Sequence, residues 1–490
     1  MTAADQPGGT PRPRVIVTTD PELDDLNSML RLVLYSNEVD LAGLIYSSSQ
    51  FHWAGDPAAG VEPHRWPPAG ARGHIDQAVD AYAQAWDNLR VHDARYPSPE
   101  RLRALVKQGN ILTKGDMAEE TDGSRLIEDV LLDGDDRQVF VQAWGGTNTI
   151  ARALLSIEER AKRAGTWEDT YRAVVARTVI TSFGKQDQTW DEYIRPHWPE
   201  LELRECATMA WGYFARLVVR PEDQVYLTPE WMGEHVSSVG PIGAAYRVWG
   251  DGLQMADGFD DEDYFGIAGK TQAELETLGY RVWCPVFPPG AWISEGDSSN
   301  FAMHIDNGLR NWEGPHFGGW GGRQALSPTD PREWVSGLAH DALPEGMAPV
   351  ETPFGTTVND YAAARWLGAF QRDLAARLRW SVTPRYEDAN HAPELTVEPG
   401  VDLAAAAGER VEVTLRASDP DGDPVTLGAW EYREAGSCEA PATVDLSGVT
   451  LVIGIPADAR AGDAIHVIVE AVDDAPVPLT SYARVVITVA

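Results

Sequence analysis

The stretch of residues 14–35, RVIVTTDPELDDLNSMLRLVLY, constrains the fold of this chain more than any other. A run of β-branched residues stops at Asp20-Pro21, and after Asp24-Asp25 the apolar residues recur at helical spacing. The pattern predicts a buried strand, an acidic turn and a helix. Four carboxylates lie between Asp20 and Asp25, and like charges this close repel each other unless a cation or a proton relieves them. A hard cation is the simplest relief.

Strands and helices alternate along the part of the chain that follows. Further strands are predicted at 39–46, 138–144 and 172–180, and helices at 75–89, 99–108, 124–131, 149–164 and 361–380. Right-handed βαβ units of this kind build a mostly parallel sheet with flanking helices, in which ligands bind at the carboxyl ends of the strands. We expect a disordered N-terminus over residues 1–13 and an α/β domain over residues 14–383.

The composition changes after a linker at residues 384–393, which is rich in turn-forming residues. Short β-type segments separated by turn signals then predict an antiparallel, immunoglobulin-like sandwich over residues 394–490. Within it, Asp419, Asp421 and Asp423 belong to the sequence SDPDGDP, which fits an Asp-Gly turn better than a calcium site.

The charge balance excludes several classes of partner. The chain carries 75 Asp and Glu against 40 Lys and Arg, a formal net charge of −35, which argues against nucleic acid and anionic membranes as partners. No apolar run reaches the roughly 20 residues of a membrane span, and no secretory signal is evident. We expect a cytoplasmic protein, or a secreted one if an export signal has been removed. Three isolated cysteines predict neither a disulfide framework nor a zinc site.

The acidic turn resembles the signature of the nucleoside hydrolases, D-x-D-P-G-x-D-D, whose aspartates bind calcium. The sequence GGTN at 145–148 and the pair Asn359-Asp360 before the closing helix resemble two further metal-binding segments of that family. The resemblance implies a Ca²⁺ site formed by Asp20, Asp24, Asp25, Asp360 and the carbonyl of Thr147.

A closer resemblance extends over almost the whole chain. The motifs that carry it are SEGD (294–297), NGL (307–309), GGWGGR (318–323), AFQRDLAARLRW (369–380) and ANHAP (389–393). They are similar to those of nucleoside-hydrolase-like proteins often described as cellulose-binding, in which a β-sandwich follows the hydrolase-like domain. The chain differs from the nucleoside hydrolases at four positions, where Thr18, Glu22, Gln50 and Asn359 stand for an Asp, a Gly, an Asn and a His. That His assists a purine leaving group, so its loss predicts a changed substrate.

The resemblance also suggests roles for individual residues. Asp20, as the residue that touches both the metal and the water, is the expected general base. Either Glu295 or Asp297 is expected to act as the acid or as a ligand of sugar hydroxyls. The substrate is expected to contact Gln50, Trp144, Asn148, Glu295, Asn300 and Trp320, the two tryptophans forming a platform for a sugar ring. We interpret His52, His64 and His74 as loop residues rather than ligands.

These observations predict a calcium-dependent glycoside hydrolase. A metal-activated water would attack the anomeric carbon of an oligosaccharide or small glycoside, with net inversion if the mechanism of the family holds. The alternatives are a nucleoside N-ribohydrolase and a non-catalytic protein that binds carbohydrate such as cellulose. Because the related hydrolases associate, a homo-oligomer is expected, a dimer before a tetramer.

Overall fold

A computed structural model describes residues 12–68 and 70–490, so most of the N-terminus expected to be disordered lies outside it. The α/β part is built on an eight-stranded sheet. Its strands are β1 (Arg14–Thr19), β2 (Asp40–Tyr46), β3 (Val106–Gln108), β4 (Val139–Ala143), β5 (Thr178–Ser182), β6 (Glu202–Glu205), β7 (Ala325–Leu326) and β8 (Glu333–Val335). A small hairpin, β9 (Val350–Glu351) with β10 (Thr357–Val358), lies apart from this sheet.

The order of the strands places β1 in the middle of the sheet. The order is β3-β2-β1-β4-β5-β6-β8-β7, and every neighbouring pair is parallel except β7 with β8. The segments that follow β1, β2, β4 and β5 therefore meet at one edge of the sheet. The predicted mostly parallel α/β sheet is confirmed.

Fourteen α-helices in the described residues surround the sheet. They are α1 (Leu23–Leu34), α2 (His74–His92), α3 (Pro99–Leu105), α4 (Asp122–Leu131), α5 (Asn148–Ala164), α6 (Trp167–Arg177), α7 (Arg195–His197), α8 (Ala215–Val218), α9 (Pro229–Met232), α10 (Gly240–Ala245), α11 (Gln272–Thr277), α12 (Ser298–Ala302), α13 (Tyr361–Ala364) and α14 (Leu367–Trp380). Among the described residues, none of the helices has the length and apolar character needed to cross a membrane.

The alternation of side chains along the strands creates two apolar layers. Val15 and Val17 of β1 face a core that includes residues of α1, α2 and α14. Ile16, between them, faces the opposite core, which is formed with α4, α5 and α6. Because both faces of β1 are covered, its sequence is continuously β-branched rather than alternating.

Three predicted elements differ from the structure. The single helix expected at 361–380 is divided into α13 (Tyr361–Ala364) and α14 (Leu367–Trp380). Residues 172–180 do not form one strand, because they contain the end of α6 and the start of β5. Of α6, only Val174 is buried, so a short apolar run there did not distinguish helix from strand. Similarly, the helix expected at 99–108 ends at Leu105 and continues directly into the edge strand β3.

The C-terminal part contains two four-stranded sheets. Its strands are β11 (Glu394–Glu398), β12 (Asp402–Ala405), β13 (Arg410–Ser418), β14 (Val425–Glu431), β15 (Thr443–Ser447), β16 (Thr450–Gly454), β17 (Ala464–Asp473) and β18 (Thr480–Val489). The sheets have the orders β11-β13-β16-β15 and β12-β18-β17-β14, and they enclose a common apolar core. One pair, β12 with β18, is parallel, which departs from the purely antiparallel sandwich that the turn spacing predicts.

The sandwich and the α/β part share buried contacts. The core on the α1 side of the central sheet includes Tyr432, Ile468 and Tyr482 of the sandwich. Arg484 of β18 is fully buried and donates to the carbonyl oxygens of Leu309 and Gly318, both at 2.6 Å. Burial lowers the pKa of its guanidinium to about 9. The two parts are therefore joined by buried hydrogen bonds as well as by apolar packing.

Candidate metal centre and active site

Asp20 follows the central strand β1 and is buried at the carboxyl edge of the sheet. Its Oδ2 accepts hydrogen bonds from Ser49 Oγ at 2.6 Å and from His52 Nδ1 at 2.8 Å. Among the described residues, Oδ1 has no hydrogen-bond partner. One oxygen of Asp20 is thus fixed by the loop after β2, and the other is available.

Asp24 and Asp25 lie in the first turn of α1, where the unpaired backbone N–H groups favour negative charge. Both are buried. Asp24 Oδ2 accepts a hydrogen bond from Ser294 Oγ at 3.0 Å, and Asp25 Oδ1 accepts one from Thr19 Oγ1. The acidic turn therefore points its side chains inward, as the crowded carboxylates of the sequence predict.

Asp297, immediately before α12, brings a fourth aspartate to the same place. It is 2 % exposed, and its Oδ1 has no hydrogen-bond partner among the described residues. Its charge acts on Asp25, while the charges of Asp24 and Asp20 act on it. We refer to Asp20, Asp24, Asp25 and Asp297 as the aspartate cluster.

Burial and mutual repulsion raise the pKa values of Asp24, Asp25 and Asp297 in the cluster. Burial, together with the neighbouring charge of Asp20, raises the pKa of Asp24 to about 6. Burial and the charge of Asp297 hold the pKa of Asp25 well above its usual range, and burial and the charge of Asp24 do the same for Asp297. Carboxyls raised in this way hold their protons to a higher pH than usual unless a cation compensates their charge.

Glu22 lies between the cluster and solvent. Its Oε1 accepts a hydrogen bond from the hydroxyl of Tyr213 at 3.1 Å, and its Oε2 is 3.8 Å from His52 Nδ1. Burial and the charge of Asp24 raise the pKa of Glu22 to about 7. One ligand atom from each of Glu22, Asp24 and Asp25 lies within 4.8 Å of the other two, and the same holds for Asp20, Glu22 and His52.

The residues present fit a hard cation. All four cluster members offer carboxylate oxygens, the ligands that Ca²⁺ prefers, and two of those oxygens are buried without a partner in the described residues. The backbone also approaches closely, because a Cβ on Gly145 would lie 2.5 Å from Asp20 Oδ1. The donor set contains no cysteine, which argues against zinc of the structural type.

A cavity of about 580 Å³ is lined by Glu22 and His74, which neighbour the cluster, but by none of the four cluster aspartates. Arg72, Arg247 and Met255 line other walls. No tryptophan, tyrosine or phenylalanine is among its lining residues in the described part of the chain. A substrate in this cavity would therefore be held by polar and aliphatic groups rather than by ring stacking.

Glu295 is not available as an acid or as a sugar ligand, contrary to expectation. Its carboxylate is fully buried and forms an ion pair with Arg31, with Nε to Oε2 at 2.5 Å and Nη2 to Oε1 at 2.9 Å. It also accepts hydrogen bonds from Tyr246 and from Ser298. With both oxygens occupied, Glu295 connects α1 to the loop that carries Asp297.

Asp360 does not join the aspartate cluster. Its Oδ2 accepts a hydrogen bond from the backbone N–H of Ala210 at 2.7 Å, and its surroundings include no cluster member that acts on its charge. The late aspartate that reaches the cluster is Asp297, from the SEGD motif. Thr147 begins α5 with its carbonyl accepting from Ala151 at 2.8 Å, so its role as a ligand stays a prediction.

The predicted sugar platform is wrong, because both tryptophans belong to the core. Trp144 is fully buried, Trp320 is 2 % exposed, and both pack in the layer that contains α1. The side chain of Asn148 is already fully hydrogen-bonded within the protein. Its amide nitrogen donates to Ser48 Oγ and to two backbone carbonyls, and its amide oxygen accepts from Ser47 Oγ.

The two remaining predicted substrate residues differ in position. Gln50 is exposed after β2. Asn300 is fully buried, and neither atom of its amide has a hydrogen-bond partner in the described residues. Contact of either with a substrate stays a prediction.

The sequence analysis interpreted His52 and His74 as loop residues, but both bond residues of the site, and His74 begins α2 rather than lying in a loop. His52 holds Asp20, and His74, whose pKa burial lowers to about 3, bonds Thr19 Oγ1 at 2.9 Å through Nε2. The available signal was position, because His52 follows β2 at the same sheet edge as Asp20. His64 instead stacks on Trp53, with ring centroids 4.4 Å apart, in the loop where it was expected.

The fold and the acidic site together define a protein with a nucleoside-hydrolase-like α/β domain. A family model described as the nucleoside hydrolase-like domain of cellulose-binding Sde182 matches residues 14–324. A second, described as the C-terminal domain of cellulose-binding protein Sde0182, matches residues 411–489. The chain belongs to this family, as its motifs predict.

A solved structure has a similar fold over almost the whole chain. A nucleoside hydrolase-related protein from Saccharophagus degradans, described as associated with carbohydrate metabolism, has a TM-score of 0.69 and 24% identity, covering 98% of this chain and 100% of its own. The effector XOO4466 (TM-score 0.36, 12% identity, covering 74% of this chain and 94% of its own) and the type III effector XopQ in complex with adenosine diphosphate ribose (0.38, 12%, 75% and 95%) are more distant. No curated protein matches the chain.

Proposed function

We propose that this protein is a calcium-dependent hydrolase of glycosyl bonds that acts on an oligosaccharide or a small glycoside. The observation that carries the proposal is a pair of buried oxygens, Oδ1 of Asp20 and Oδ1 of Asp297, that have no hydrogen-bond partner among the described residues and lie in a carboxylate cluster next to Glu22, which lines a cavity. The carbohydrate class is supported by the description of the family as cellulose-binding and by the metabolic association of the S. degradans protein.

Asp20 is the proposed general base. Ser49 and His52 both bind its Oδ2, so Oδ1 is the atom left to accept a proton from an attacking water. A carboxylate that is fixed on one side loses little freedom when it takes up that proton. His52 is a positioning residue in this scheme, because it acts through Asp20.

The sequence left open whether Glu295 or Asp297 acts as the acid or as a ligand of sugar hydroxyls, and we assign this role to Asp297. The carboxylate of Glu295 is paired with Arg31, whereas Oδ1 of Asp297 has no hydrogen-bond partner in the described part of the chain. We assign Asp297 to the leaving-group oxygen or to a sugar hydroxyl. Glu22, which lines the cavity, is assigned to contact with the substrate.

The proposed ligands of the cation are Asp20, Asp24 and Asp25. A cation bound there would orient sugar hydroxyls and lower the pKa of a water. The lining of the cavity favours a glycoside over a nucleoside, because the described lining residues include no aromatic side chain that could stack on a nucleobase.

A screen of aryl glycosides together with inosine and uridine, with and without Ca²⁺, tests the proposal. We expect calcium-dependent release of an aryl alcohol from at least one glycoside and no release of ribose. Asp24→Asn should lower both the bound calcium measured by mass spectrometry and the hydrolysis rate. The matched control is Asp360→Asn. The sequence predicted Asp360 as a ligand, but it lies outside the cluster, so this variant should keep its bound calcium and its hydrolysis rate.

Two results would overturn this function. Hydrolysis that persists in a strong chelator, with no metal bound, would exclude the calcium-dependent reaction. If calcium binds but no compound in the screen is hydrolysed, a non-catalytic binding protein would be favoured instead.

A further inference from the structure

A second cavity, of about 360 Å³, lies between the α/β part and the sandwich. Its size falls at the lower end of the range of small-molecule sites, roughly 300–1,000 Å³. The walls are formed by Trp366 and Arg372 of the α13–α14 region and by Trp430, Glu470 and Tyr482 of the sandwich. Trp430 is the single tryptophan after residue 380.

Of the residues that the structure describes, four charged ones line this cavity, Arg220, Arg365, Arg372 and Glu470. Two arginines of its lining have carboxylate partners, Arg220 with Asp223 at 2.6 Å and Arg365 with Asp341 at 3.2 Å. The remaining charged pair is Arg372 and Glu470. Within the described ranges, neither has an oppositely charged side chain within 4.0 Å. The two lining groups left without an ion-pair partner in the described residues thus carry opposite charges, which favours a neutral ligand over an anion on a chain of net charge −35.

Arg372 and Glu470 are held in place by their other contacts. Arg372 donates from Nε to the carbonyl of Pro478 at 2.8 Å and from Nη1 to the hydroxyl of Tyr226 at 2.7 Å. Glu470 Oε1 accepts from Trp430 Nε1 at 3.1 Å. In the described part of the chain, Nη2 of Arg372 and Oε2 of Glu470 have no hydrogen-bond partner. They provide a fixed donor on one wall of the cavity and a fixed acceptor on the other.

This combination has the chemistry of a saccharide site. A sugar hydroxyl both donates and accepts, so neighbouring hydroxyls can satisfy an arginine N–H and a carboxylate oxygen at the same time. Trp430 is the lining aromatic side chain that is only partly buried, and it offers apolar surface to the C–H face of a sugar ring, whereas Trp366 and Tyr482 are 3 % and 5 % exposed and belong to the core. The tryptophans predicted to form a platform are buried elsewhere, whereas Trp430 is only partly buried.

We propose that this cavity binds a unit of a neutral saccharide, with Arg372 and Glu470 as its hydrogen-bonding residues. The site is separate from the aspartate cluster and does not depend on hydrolysis there. Because one wall comes from the α/β part and the other from the sandwich, neither part contains the site alone.

Calorimetric titration of the full chain with cellotetraose and maltotetraose tests this site. We expect one of these neutral probes to bind, and Glu470→Gln and Arg372→Met each to weaken that binding about tenfold or more, since each removes a charged hydrogen bond. Arg379→Met, an exposed arginine of the same helix, is the matched control and should bind as the unaltered protein does. If Arg372→Met fails to fold, Glu470→Gln decides, because glutamine keeps an acceptor for Trp430.

Asp24→Asn separates this proposal from the proposed hydrolysis, since it should leave the calorimetric binding unchanged. Binding lost in Asp24→Asn but kept in Glu470→Gln would place the saccharide at the aspartate cluster and overturn the site. Tighter binding of a galacturonate tetramer than of either neutral probe, or no binding of any probe, would also overturn it.

Discussion

The buried ion pair between Arg31 and Glu295 allows a quantitative test of how the site is supported. Both side chains are 0% exposed, so solvent does not screen them. Arg31 also donates to the carbonyl of Phe370 at 3.0 Å, and its guanidinium lies 4.1 Å from the centre of the Phe370 ring. Arg31→Met keeps most of the side-chain volume but leaves the Glu295 carboxylate with hydroxyl donors only.

Removing one partner of a buried ion pair costs ~3–5 kcal/mol, because the other charge stays buried without compensation. We expect Arg31→Met and Glu295→Gln each to lower the free energy of unfolding by this amount. The double variant removes both charges, so its loss should be smaller than the sum of the single losses by up to ~3 kcal/mol.

Urea unfolding at pH 7, followed by tryptophan fluorescence, measures these losses. Arg90→Met, an exposed arginine of α2, is the control and should change the free energy by ~0.5 kcal/mol or less. Strictly additive losses would refute the coupling that the geometry predicts. If Glu295→Gln kept full stability and lost only hydrolysis, Glu295 would be a catalytic acid and our assignment of Asp297 would be wrong.

Two further predictions concern Asp360 and Gly145. Burial raises the pKa of Asp360 from 3.8 to about 7, so between these pH values the folded state holds a proton that the unfolded state has lost. This contribution to the free energy of unfolding, at most ~4 kcal/mol, is present at low pH and falls as the pH rises to 7. Asp360→Asn should therefore remove the part of the pH dependence of stability that is due to Asp360, as measured by urea unfolding from pH 5 to pH 8. An unchanged pH dependence would contradict the burial effect. Gly145→Ala places a methyl group 2.5 Å from Asp20 Oδ1 and should weaken calcium binding in calorimetry about tenfold or more, whereas Gly337→Ala, with no atom within 4 Å of the added methyl, should not. Equal affinity in the two glycine variants would argue against Asp20 as a ligand.

The site residues that the sequence predicted correctly are those whose positions depend on neighbouring residues in the chain. Asp20, Asp24 and Asp25 follow from a strand that must be buried and a helix that begins directly after it, so their approach depends on few residues. The α/β class follows in the same way from the alternation of strands and helices, and the family motifs extend it to the sandwich.

The parts that sequence did not predict depend on distant pairs. Whether Asp297 or Asp360 reaches the cluster is decided by the path of the chain after β6, which no periodicity reveals. Glu295 was a reasonable acid until its partner was known, and Arg31 lies 264 residues away. Tryptophan suits both a core and a sugar platform, so composition alone could not separate buried Trp144 from Trp430 at the interdomain cavity.

Arg484 has a consequence for the synthesis of the protein. Its guanidinium satisfies the carbonyl of Gly318, which precedes it by 166 residues. At a translation rate of roughly 5–20 residues per second, the ribosome needs roughly ten seconds to half a minute to cover that distance. During this interval the glycine-rich loop lacks its buried donor, so the α/β part cannot reach its final packing while the sandwich is still being made. A nascent chain stalled before β18 should therefore be more sensitive to proteases in this loop than the released protein.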